Sequence, residues 1–154
     1  MMLLSTAFAI VSFRAEVVKQ TQEFQEDTVF FISQFERENM QLVLALDEFL
    51  TSSRSSAKGT RLIERFDILW SRLDVFGTGR LGRELERVGD TDAILEEGWR
   101  VMRQAEPLFD NLAVAPQDAL RETKSSLIAL MPKIHEIKLQ ASSQRHRAAD
   151  HRRS

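Results

Sequence analysis

The sequence predicts an all-α protein: an up-down-up-down, left-handed four-helix bundle with a long first helix and kinked third and fourth helices. Three observations carry that prediction. Apolar residues return at alternating steps of three and four over most of the chain, the signature of helices with one buried stripe. Only three Pro and six Gly punctuate 154 residues, too few for the many turns of a sheet. The four stripes each repeat about every 3.5 residues, and stripes of that period are buried together when near-antiparallel helices supercoil to the left. At 43% apolar residues the chain is also long enough to bury a core without staples.

The first helix is expected from Ala15 to Leu50, a run without Gly or Pro. Two interleaved rows mark its inner face: Ile10, Val17, Phe24 and Phe31, and Thr21, Thr28, Phe35, Leu42 and Phe49. The Ser-rich stretch "TSSRSSAKGT", Thr51 to Thr60, reads as a loop, with Thr60 as the N-cap of the second helix. That helix carries the clearest stripe, Leu62, Phe66, Leu69, Leu73 and Phe76, widened on one side by Ile63 and Trp70. "GTGRLGRELERVGD" follows as a glycine-bounded connection with a short helical turn expected from Glu84 to Val88.

The third helix is expected to start behind Asp90 or Thr91, either of which can cap it, and to bury Leu95, Gly98, Met102, Ala105, Phe109 and Leu112. Because this period continues past Pro107, the ring is expected to kink the helix and not to end it. Pro116 suits the first turn of the fourth helix, where its missing N–H costs little, and Asp118 complements the helix dipole there. Its stripe is Leu120, Thr123, Leu127, Leu130, Ile134, Ile137 and Ala141, with a bend expected at Pro132.

Little in the chain points to catalysis. "FGTGRLG", Phe76 to Gly82, matches the G-x-G-x-x-G pattern of dinucleotide sites, but that chemistry needs a strand before the glycines and an acidic residue about 20 positions later. Here an amphipathic helix precedes Gly77, and Asp90 and Asp92 come too early. The glycines therefore read as a helix cap and a connection. His135, His146 and His151 lack the spacing of a helical metal site, and the absence of Cys excludes thiolate chemistry. Glu84, Glu86, Glu96 and Glu97 stand among Arg residues as ordinary helix surface. No catalytic residue, cofactor or metal is expected. A formal charge of −2 with mixed signs gives no footprint for nucleic acid.

Trp70 and Trp99 flank apolar stripes and have Arg72, and Arg100 with Arg103, near them in sequence. That combination suits either a small pocket lined by stacking and charge or plain packing at the core edge. At the amino terminus, "MMLLSTAFAIVSF" is apolar for thirteen residues, fewer than the about 20 that span a bilayer. Residues 1–14 therefore read either as the first turns of the long helix or as the end of a transmembrane helix. Residues 15–142 form the bundle. Residues 143–154, with Arg145, Arg147, Arg152 and Arg153, form a basic tail.

"ERFDILWSRLDVF", Glu64 to Phe76, and "QFERENMQLVLALDEF", Gln34 to Phe49, resemble the amino-terminal sensor region of bacterial membrane-bound sensor histidine kinases and diguanylate cyclases or phosphodiesterases. The likeness is densest from Phe66 to Arg72. It implies a helical extracytoplasmic domain between two membrane helices, with residues 1–14 left from the first and the basic tail leading to the second. It also implies a non-catalytic, homodimeric input module in the inner membrane, facing the periplasm and responding to a small-molecule or protein signal. The kinase or cyclase output is absent from this sequence. Asp67, Trp70, Arg72 and Trp99 make up the candidate ligand or interaction set. The alternative is a free-standing cytoplasmic helical interaction or dimerisation module.

Overall fold

The computed structural model describes residues 24–52, 54–77, 83 and 88–153. Among these residues the protein is all-helical: α1 (Phe24–Thr51), α2 (Ser56–Phe76), α3 (Thr91–Asp110), a single 3-10 turn (Leu112–Val114) and α4 (Gln117–Arg153). The expected features at residues 1–23, and the short turn from Glu84, lie outside the described residues.

Each helix buries the stripe that its spacing marks. Leu62, Phe66, Leu69, Leu73 and Phe76 of α2 are all in the core, as are Leu95, Gly98, Met102, Ala105 and Phe109 of α3 and Leu112 beyond it. In α4 the stripe from Leu120 to Ala141 is buried except for the half-buried Thr123. Removing a Leu or Phe side chain of this kind from water contributes about 1.5–3 kcal/mol, which is why the stripes dictate the packing. One expectation needs correction: Ile63 is exposed and does not widen the α2 stripe. In α1 the expected row of Thr28, Phe35, Leu42 and Phe49 is buried, and Ile32, Asn39 and Leu46 are buried beside it. Of the other expected row, Ile10, Val17 and the Phe24 side chain lie outside the described residues. Phe31 packs half-buried against the core and meets Phe76 edge-on, with ring centroids 6.3 Å apart.

The helix ends also differ in part from expectation. Helix α2 begins one turn earlier than Thr60. Ser55 has extended dihedrals, φ −75° and ψ 150°, and its Oγ accepts from the Lys58 N–H. Gly59 already donates its N–H to the Ser55 carbonyl at 3.0 Å, so Thr60 lies inside the helix. A Ser-rich stretch therefore hides a helix start, because several of its residues are able to cap and the sequence alone does not mark Ser55 among them. At the far end Gly77 does cap α2, donating to the Leu73 carbonyl at 3.1 Å. Asp90 flanks α3 without a side-chain cap bond, and the Thr91 hydroxyl donates back to the Val88 carbonyl. Pro116 directly precedes α4, and its carbonyl accepts from Leu120 N at 3.2 Å.

Pro107 and Pro132 both sit inside helices that continue beyond them. Helix α4 runs through the basic stretch of residues 143–153 to Arg153.

Contacts between neighbouring helices run in opposite chain order. Phe35, Glu38 and Glu48 of α1 meet Phe76, Arg65 and Arg61 of α2. Phe66, Trp70 and Leu73 meet Phe109, Trp99 and Gly98 of α3. Helix α4 returns to α1 through Lys124 with Asp47, Leu127 with Asn39 and His135 with Glu36. The α1–α4 interface is the most extensive, and α2–α3 the least. Arg54 ties the two loops at one end together, donating to the carbonyls of Ala113 and Ala115 at 3.3 and 2.8 Å.

Candidate functional site

Two regions combine polar chemistry with exposure. The first is the tryptophan corner between α2 and α3. Trp70 and Trp99 are half-buried, with ring centroids 5.0 Å apart at an interplanar angle of 84°. Phe66 joins them from below, 5.8 Å from Trp70 and stacked on Phe109 at 4.2 Å. The cation over this cluster is Arg103, whose guanidinium lies 5.2 Å from the Trp99 ring. Edge-to-face aromatic pairs of this sort contribute about 0.5–1.5 kcal/mol beyond their burial.

The sequence-predicted set is brought together only in part. Trp70 and Trp99 touch. Asp67 is exposed on α2, and its backbone carbonyl accepts from the Ser71 hydroxyl at 3.0 Å. Arg72 is half-buried, but two residues along a helix turn it roughly 200° from Trp70, onto the other side of α2. The arginine that reaches the tryptophans comes from α3.

The second region is the seam between α1 and α4. Glu36 receives Lys138 Nζ at 2.9 Å on one oxygen and meets His135 Nδ1 at 3.0 Å on the other. Partial burial raises the Glu36 carboxyl, but hydrogen bonds from Lys138 and His135, with their charges, outweigh it and hold the group below the usual value of 4.5. Three residues on, Asn39 is fully buried and donates Nδ2 to the Leu127 carbonyl at 2.9 Å. Its Oδ1 accepts no hydrogen bond among the described residues. Lys124 and Asp47 close the far end of the seam at 3.0 Å.

Beside Asn39, the Glu38 side chain is only 7% exposed and is shared by two arginines, Arg65 at 3.5 Å and Arg37 at 3.7 Å. An open groove of about 550 Å³ runs along the outer face of this seam, lined by Glu36, Arg37, Met40, Met131, Pro132 and His135. A smaller one, about 320 Å³, lies between α3 and α4, where Lys133 bonds Glu97 at 2.6 Å.

Glu36, Glu38 and Asn39 all lie in the Gln34–Phe49 stretch, but no motif there marks any of them individually. One signal was available for Asn39: it occupies the row of Ile32 and Leu46, so a polar amide falls where the period demands an apolar residue. Among the described residues no group of three His, Cys, Asp or Glu is placed to hold a metal ion. No described helix is long and apolar enough to cross a membrane. The chain matches no protein-family model, no curated protein and no solved structure.

Proposed function

We propose that this chain is a non-catalytic, signal-sensing input domain of a bacterial transmembrane receptor. In this reading the helices form a left-handed, up-down-up-down bundle that works as a homodimer outside the inner membrane. Binding of a small molecule or protein changes the packing of α1 against α4, and that shift passes to an output domain on another part of the receptor.

The observation that supports this reading best is the chemistry of the α1–α4 seam. A seam made only of apolar stripes is held by non-directional burial. This one is fixed by directional contacts at three levels: Glu36 with His135 and Lys138, Asn39 with the Leu127 carbonyl, and Asp47 with Lys124. Of these only the Asn39 bond is buried, and a buried polar contact in a helix pair specifies one register at a cost in stability; the ion pairs at the other two levels are solvent-accessible and add direction more than energy. A pair held in register by a few directional contacts has discrete alternatives, and a ligand that favours one of them shifts the population. Pro132 lies beside the seam and lacks the N–H that would bond the Ile128 carbonyl, which lowers the cost of bending α4 there.

A chimeric receptor tests the reading. The chain is placed between two spanning helices and a histidine-kinase output, and autophosphorylation is compared with that of Pro132→Ala. The expected outcome is an altered basal or stimulated output with unchanged helix content by circular dichroism. Identical output from both receptors contradicts the relay.

A further inference from the structure

We infer that the outer α1–α4 groove is a binding site for an amphipathic anion, a single-chain aliphatic carboxylate. The inference deepens the sensing reading by naming a ligand class for that helix pair. The binding itself stands apart from any relay.

The groove's volume, about 550 Å³, falls within the range of small-molecule sites. Its floor is apolar: Met40 from α1, and Met131 with the Pro132 ring from α4. Methionine side chains are unbranched and polarisable, so two of them facing each other adapt to a flexible chain better than a fixed β-branched surface does. Exposed Leu44 and Ile128 continue the apolar strip along each helix beyond the groove. From Arg37 to Leu44 the rise is about 10 Å, the length of a medium alkyl chain.

Charge at one end sets the sign of the ligand. Glu36 is the one carboxylate lining the groove, and it is already engaged by His135 and Lys138. The Glu38 carboxylate lies behind α1 and is shared between Arg65 and Arg37, so its single charge balances one of the two. Arg37 is the more exposed of that pair, 68% against 36%, and it lines the groove. The end of the groove therefore carries a cation in excess over an apolar floor. An anion with an apolar tail satisfies both, with its carboxylate on the Arg37 guanidinium as a charge-assisted pair. A neutral alcohol forgoes the charge pair, and an alkylammonium meets like charge.

The test is isothermal titration of the full chain with decanoate below its micellar concentration, alongside decyltrimethylammonium of equal chain length. The expected result is saturable binding of decanoate at one site, at least tenfold tighter than the ammonium. Arg37→Gln is expected to weaken decanoate binding at least fivefold, and Met40→Glu to abolish it. Both positions are exposed, and thermal melts of the variants confirm folding. Equal binding of the two amphiphiles, binding unaffected by Arg37→Gln and Met40→Glu, or no binding of decanoate overturns the site. None of these outcomes bears on whether the chimeric receptor responds to Pro132→Ala, so failure of the site and failure of the relay are separable.

Discussion

Asn39 shows how much a single side chain can decide. It sits on the buried face of α1 with no exposed surface, one donor satisfied by the Leu127 carbonyl and Oδ1 without a partner among the described residues. Asn39→Asp keeps the shape but replaces that donor with an acceptor and brings a charge into the core. An unpaired buried charge costs on the order of 3 kcal/mol or more. Urea denaturation at pH 7 is expected to show that loss, with part of it recovered in acid as the buried carboxyl takes up a proton. Equal stability of the two proteins at pH 7 would mean that Asn39 is not buried against α4. The glycines give a second contrast. Gly89 has φ +48°, a left-handed backbone that strains any L side chain, and a Cβ there would also displace the end of the Gln140 side chain. Gly77, which opens the G-x-G-x-x-G match, has φ −82° and room for a Cβ at ordinary contact distance. Gly89→Ala is therefore expected to lower stability by about 1–2 kcal/mol, and Gly77→Ala to change it by less than about 0.5 kcal/mol, both read from denaturant midpoints. A dinucleotide site would rank the two positions the other way.

At the scale of the helices, most of the fold was legible because burial follows spacing. The α2 stripe from Leu62 to Phe76 and the α3 stripe from Leu95 to Leu112 were readable residue by residue, since apolar side chains recur there with little interruption. Helix α1 was harder. Phe30 is large and apolar yet exposed, whereas Asn39 is polar yet lies on the buried row of Ile32 and Leu46, so hydrophobicity alone did not mark that row. The α2 start was missed because several residues in "TSSRSSAKGT" are able to cap and only geometry picks Ser55. The seam contacts were not legible at all, since Glu36 and His135 are 99 positions apart and only packing brings them together. That same pair predicts a pH dependence. The Glu36 carboxyl is held below its ordinary value, so its stabilising contribution is complete above the unfolded pKa near 4.5 and is lost as pH falls through the lower folded value. The stability difference between the native chain and Glu36→Gln is expected to shrink as pH is lowered through and below 4.5. A difference that persists unchanged into strong acid would rule out an ionised Glu36 as the stabilising species.

For the whole molecule, the α1–α4 pair carries more of the directional chemistry than any other pair among the described residues. Helices α2 and α3 are joined by an aromatic corner, whereas α1 and α4 approach each other along more of their length and carry the Glu36, Asn39 and Asp47 contacts. Of the candidate residues read from the sequence, Trp70 and Trp99 account for that corner, Asp67 is exposed one turn before Trp70, and Arg72 lies on the other side of α2. The groove and its cation belong to the other side of the bundle. The resemblance to sensor regions is densest on α2 and also covers Gln34 to Phe49 of α1, whereas the α4 half of the seam lies outside both quoted stretches and is brought to α1 only by packing. The proposed relay through this pair requires their relative position to change when the groove fills, and helix shifts in such transitions are about 1–2 Å.

Because the chain has no cysteine, spin labels can be placed on that pair alone, at Glu48→Cys on α1 and Ser143→Cys on α4. The order of the seam contacts separates these positions by roughly 30 Å along the helices, a span over which electron–electron dipolar spectroscopy resolves small axial shifts. With decanoate occupancy of the groove confirmed in the same sample, the account predicts that the mean distance moves by about 1–2 Å while helix content stays constant. An unchanged distance distribution with the groove occupied would contradict it.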